Sequence, residues 1–111
     1  MDRINQYRQI IQQLLTEMAQ VKYAYGDMRD YTIFDREADS YAIITQGWDG
    51  PRRIHDIVVH LEIINGKIWI QENNTDQLIA DQLEAAGVPK SDIVLGFQHP
   101  SVRQYTEYAV A

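Results

Sequence analysis

Between Gly47 and Gln71 the chain carries two turn dipeptides, Asp49-Gly50 and Asn65-Gly66, each set among residues rich in β-formers. Both supply the positive φ angles that two-residue type I′ turns need, so the segment reads as two consecutive tight hairpins. Strands joined in this way lie antiparallel, and they constrain the rest of the fold more than any other feature. In the two-residue Asn-Gly register Ile63 stands opposite Ile68 and Leu61 opposite Ile70, so Val59, Leu61, Ile63, Ile68 and Ile70 share one face, the expected core. The other face presents His60, Glu62, Ile64, Trp69 and Gln71, a mixed surface with one large exposed aromatic.

Further strands extend this pattern. Arg29 to Phe34 reads as the first, and the polar loop Asp35 to Asp39 leads to a second from Tyr41 to Gln46. Ile54 to Ile64 and Lys67 to Glu72 complete an antiparallel meander. Upstream, Ile4, Tyr7, Ile11, Leu14, Leu15, Met18, Val21 and Tyr25 recur at helical spacing, with Asp2 as a cap and Gly26 as the stop. This stripe is expected to cover the sheet; the same positions also fit a heptad seam between two copies. Downstream, Asn74 with Gln77 three residues on predicts the start of a second helix carrying Leu78, Ile79, Leu83 and Ala86, stopped by Gly87 and Pro89. Ser91-Asp92 predicts a single helical turn. The tail from Pro100, with Tyr105, Tyr108 and Val110, holds too many apolar groups to be free, and is expected to pack on its own sheet or on a second subunit. The expected class is α+β in one domain, residues 1–111: a long N-terminal helix packed on a four-stranded antiparallel meander, a second helix and an ordered C-terminal segment.

Composition narrows the function classes. At 111 residues one core is all the chain can support. It lacks cysteine, which removes disulfides, thiolate metal sites and cysteine catalysis and suits a reducing cytoplasm. No apolar run approaches a membrane span, so a cytoplasmic location is expected. The formal net charge of −6 repels a polyanion, making the chain a poor stand-alone DNA binder and a protein partner the better match. Arg52, Arg53 and Lys67 are the one basic set that hairpin geometry could gather.

The chemistry-bearing residues form no recognised constellation. Of His55, His60 and His99, only His60 shares a strand face with a carboxylate, Glu62, and no further ligand follows at metal spacing. Ser40, Ser91 and Ser101 lie outside any nucleophile elbow, and no phosphate-binding glycine motif is present. Asp56, His60 and Glu62 are the least improbable contributors to a site completed in a complex. Trp48 is expected to anchor its hairpin. Trp69, beside His60, Glu62 and Gln71, is expected to be an interface anchor, ahead of the alternative that it packs under the tail; Arg52 and Arg53 point to opposite faces, one to pair with Asp49 or Asp56 and the other to meet a carboxylate or phosphate.

Several segments in order resemble the XisI-like family, the cyanobacterial controlling factors for excision of the fdxN element. They are Gly47-Trp48-Asp49-Gly50, Arg52-Arg53-Ile54, Asn65 to Gln71 with Gly66, Gly87-Val88-Pro89-Lys90, Asp92 to Phe97 with Gly96, and the ending from Tyr105 to Ala111. The resemblance implies an accessory role in programmed DNA rearrangement, in which a separate recombinase exchanges strands and an XisH-like protein is the partner. It brings no catalytic residues, no cofactor and no metal. The expectation is a non-enzymatic controlling factor acting through protein-protein contact, as a homodimer; the alternatives are a subunit of a nuclease-type complex with a composite site, or a weak direct DNA-binding accessory.

Overall fold

The computed structural model describes residues 2–20 and 27–111. The N-terminal helix α1 (Arg3–Met18) starts where the Asp2 carboxylate accepts the Ile4 and Asn5 amides at 2.9 and 3.4 Å, the capping role expected of it. Tyr7, Ile11, Leu15 and Met18 are buried in the chain's own core, so the stripe covers the sheet and is not a seam between copies. Val21, Tyr25 and Gly26 lie outside the described residues.

Four antiparallel strands follow: β1 (Asp27–Asp35), β2 (Ser40–Asp49), β3 (Arg52–Ile64) and β4 (Lys67–Asn73). The sheet has a fifth strand, β5 (Ile93–Leu95), which pairs parallel to β4, so it is mixed rather than a purely antiparallel meander. Three residues are too few to show alternation, and parallel pairing needs a crossover that only the intervening helix reveals. The Asn65-Gly66 turn has positive φ at both residues, 51° and 78°, and sets Ile63 opposite Ile68 and Leu61 opposite Ile70, as the register predicted. The other hairpin differs from expectation. Asp49 pairs with Arg52, so the two loop residues are Gly50 and Pro51: glycine takes φ 59° in the first position and proline holds a negative φ in the second, the type II′ order.

Tyr41, Ile43, Val59, Leu61, Ile63, Ile68, Ile70 and Ile93 fill one face under α1 and the second helix, α2 (Ile79–Ala85). That helix begins later than expected. Asn73 accepts the Thr75 amide and hydroxyl at 3.0 and 2.6 Å while Asn74 donates to the Ile57 carbonyl, so both asparagines build the loop and Leu78 takes the N-cap position without a side-chain cap. Leu78 and Ala86 are exposed, and only Ile79 and Leu83 of the predicted stripe are buried. Gly87, at φ 106°, ends α2 in a Schellman arrangement, with Val88 donating to Leu83 and Gly87 to Glu84. A 3-10 turn over Lys90–Asp92, then β5 and a short helix α3 (Pro100–Arg103), lead to a tail that folds back on its own sheet, where Ala109 bridges Val94.

Three side-chain ties fasten the two ends to turns and to the second helix. The Arg8 guanidinium meets both oxygens of Asp39 at 2.7 and 3.0 Å, which holds that carboxyl below its ordinary range, and Tyr41 donates to the same group at 2.9 Å. Tyr7 donates to Asp92 across 85 residues of sequence, and burial with that carboxylate pushes its hydroxyl up to about 12. Tyr108 donates to Glu84 at 2.9 Å and is pushed to about 12 by the same causes.

Candidate interaction face

The helices cover one face of the sheet; the other is open across β1, β2 and β3. Alternation places Asp27, Arg29, Tyr31, Ile33 and Asp35 of β1 on it, with Ser40, Ala42, Ile44, Gln46 and Trp48 of β2. From β3 come Arg53, His55, Ile57, His60, Glu62 and Ile64; an extra residue, Val58, keeps both Ile57 outward and Val59 buried. Cross-strand neighbours form apolar rows, Tyr31 beside Ile44 beside Ile57 and Ile33 beside Ala42. Ile33, Trp48, Ile57 and Ile64 are exposed large apolar side chains on this one sheet face.

One end of this face carries two arginines, with Asp27 beside Trp48. Arg53 lies over the Trp48 ring at 5.2 Å and donates to Gln46 at 3.0 Å, and Arg29 lies over the Tyr31 ring at 4.6 Å. Trp48 therefore anchors its hairpin, as expected, with 46% of its surface still open. Arg52 points away and pairs with Asp49 at 3.6 Å, which agrees with the opposite orientations expected of the two arginines. Lys67 sits at the other end of the sheet and donates to the Ala111 carbonyl, so Arg52, Arg53 and Lys67 form no common basic patch.

His60, Glu62 and Gln71 do come together. The His60 ring Nε2 and the Ser40 hydroxyl are 2.8 Å apart, the Glu62 carboxylate lies 4.0 Å from the same nitrogen, and Gln71 donates to the other Glu62 oxygen at 3.0 Å. A serine triad needs the acid on Nδ1, so that Nε2 is free to take the hydroxyl proton; here serine and acid share one nitrogen. Asp56 is on the helix side, beside a concavity of about 570 Å³ whose wall also holds Asp30, Glu72 and Asp76. The expected trio Asp56, His60 and Glu62 is thus split between two faces. Among the described residues no group of three or more metal-type side chains converges.

Trp69 departs from its expected exposure. Arg103 stacks on its ring at 5.0 Å and is held there by bonds to the Gln98 and Gly96 carbonyls at 3.0 and 3.3 Å. Gly96 makes the close approach possible, because a Cβ there would lie 2.5 Å from Gln71 Oε1 and 3.1 Å from Trp69 Cε3. The indole is half-buried under the chain's own tail, and its N–H is buried with no acceptor among the described residues. Tyr105, by contrast, is 80% exposed. Reading the sequence missed Tyr31, Ile33, Ile44 and Ile57 as surface, although β1's alternation carried the signal; Arg103 had none, because only the tail's return brings it to Trp69.

The XisI protein family profile matches residues 1–110. The chain belongs to the XisI family. The crystal structure of the fdxN element excision controlling factor XisI from Anabaena variabilis ATCC 29413 is similar at 40% identity and a TM-score of 0.87, covering 99% of this chain and 100% of that one. An XisI-like protein from the same organism is similar at 42% identity and a TM-score of 0.92, with 97% and 99% covered. No curated protein matches. No helix among the described residues is long and apolar enough to cross a membrane.

Proposed function

We propose that this XisI-family chain is a non-enzymatic, cytoplasmic controlling factor for excision of a DNA element, and that it acts by binding another protein through the open sheet face. The carrying observation is the contrast between the two faces: helices pack on one, while no helix covers the other, which leaves Ile33, Ile57 and Trp48 exposed beside Arg29 and Arg53. An apolar centre with arginines and aromatics at its margin is the composition of a protein interface. The relative from A. variabilis is named a controlling factor, which supports a regulatory role, and the family resemblance makes an XisH-like protein the partner to test. Two observations favour this reading over its rivals. The split of Asp56 from His60 and Glu62 weighs against a composite nuclease site, and the separation of Lys67 from Arg52 and Arg53 weighs against direct DNA contact at an overall charge of −6.

The test is co-purification with the XisH-like protein encoded in the same genome, using wild type, I33D and I57D. A stable complex weakened at least about tenfold by either substitution is expected, since each buries a charge at the contact. No complex with wild type, or full affinity in both variants, overturns the proposal.

A further inference from the structure

β1 is the outermost strand, and among the described residues it pairs only with β2. A nine-residue edge is a template for another strand, and charges normally blunt such edges. Along the open face β1 reads Asp27, Arg29, Tyr31, Ile33, Asp35, so that Arg29 and Asp35 flank an apolar pair and Asp27 stands outside them.

A second copy meeting this edge about a two-fold axis runs antiparallel, and because the axis keeps open face beside open face, one residue must stand opposite itself. With the axis at Asp30, two carboxylates face each other; at Tyr31, Asp27 faces Asp35; at Ile33, Tyr31 faces Asp35. With the axis at Thr32, Arg29 faces Asp35 of the second copy and Tyr31 faces Ile33, each relation occurring twice, while Asp27 passes beyond the end of the second copy's strand, level with its exposed turn. On the helix side of the same register, Thr32 meets Thr32 and Asp30 meets Phe34. We propose that the β1 edge is a homodimer interface in the Thr32-centred register, producing a continuous ten-stranded sheet. The row Ile57, Ile44, Tyr31 then runs on into Ile33 and Ala42 of the second copy, so the apolar centre of the open face spans both chains. This self-pairing does not depend on the identity of any other partner.

The register makes a charge-swap test decisive. R29D and D35R each place like charges opposite one another twice in a homodimer, whereas a one-to-one mixture of the two variants restores two opposite-charge pairs. Sedimentation equilibrium should give wild type a mass about twice 12.9 kDa, a dissociation constant raised at least about tenfold in each variant alone, and recovery in the mixture. The absence of native cysteine gives a second readout that does not rely on Asp35, whose carboxylate also accepts the Glu37 and Ala38 amides in the β1–β2 turn. Oxidised T32C should cross-link to a covalent dimer, because directly paired Cα atoms lie within disulfide reach, while R29C should not, its two copies being about 20 Å apart. A wild type that stays monomeric at its highest soluble concentration, a mixture that fails to recover, or equal cross-linking of T32C and R29C overturns the proposal.

Discussion

Replacing Gly47 by alanine should be among the most damaging single-methyl additions this chain can receive. Gly47 pairs with Met28 where β2 runs beside β1, at φ +152°, a backbone conformation that side-chain-bearing residues rarely adopt. A Cβ there would lie 1.8 Å from the Asp27 carbonyl oxygen and 2.6 Å from the Met28 Cα. Both obstacles are backbone, so no side chain can rotate away, and clearing the contact means moving β1 by more than an ångström. Interstrand hydrogen bonds do not survive a shift of that size at full strength. Strain at the forbidden dihedral and overpacking against the neighbouring strand together give a loss of about 3–5 kcal/mol, a large part of the stability of a small domain. Gly50 supplies the control: it too has positive φ, 59°, but nothing lies within 4 Å of its Cβ position, so G50A should carry only the dihedral cost of about 1–2 kcal/mol. Urea unfolding followed by far-ultraviolet circular dichroism measures both. If G47A is no less stable than G50A, the close approach of the two strands has been misjudged.

Other consequences are equally specific. R103A should uncover Trp69, so in a W48F background acrylamide should quench the remaining indole more strongly; unchanged quenching would mean that the tail does not depend on this guanidinium. Because the Asp39 carboxyl is held low by Arg8, its contribution is present above the unfolded range near pH 4 and lost as pH falls below it. D39N keeps a side chain tolerant of φ 52° and should flatten the acid limb of the stability curve; an unaltered limb refutes the assignment. Tyr7 and Tyr108, both raised to about 12, have the opposite sign: their stabilisation is complete below about pH 10 and disappears as pH rises towards 12. The double variant Y7F/Y108F should therefore lose the steep alkaline limb in urea melts, and a limb as steep as in wild type would count against both contacts.

What could be read from the sequence was whatever depends on near neighbours. The Asn65-Gly66 turn fixed its own register, and with it the core assignment of Leu61, Ile63, Ile68 and Ile70, because a two-residue turn leaves no freedom in the pairing. The stripe from Tyr7 to Met18 and the cap at Asp2 are similarly local. The misreadings involve competition or return. Asn74 has the composition of a helix cap, yet the Ile57 carbonyl claims its amide, and Pro51 shifted the loop of the other hairpin by one residue. β5 is invisible until α2 carries the chain back beside β4. Trp69 was placed on the correct face, but partner contact was ranked above packing under the tail, since a stacked arginine 34 positions downstream leaves no trace in strand periodicity. The open face itself was only half seen: its β3 and β4 members followed from the turn, while the isoleucines of β1 and β3 that form its apolar rows needed the β1–β2 pairing.

The bond between Tyr7 and Asp92 gives biosynthesis an order. A ribosome that has released α1 and four strands has made a sheet whose β4 margin is still bare and whose first helix lacks one of its tethers. The lone pairs and amides along that margin remain open to any passing strand until Ile93 to Leu95 emerge, which makes the interval between the release of β4 and that of β5 the period when this chain most needs chaperone cover.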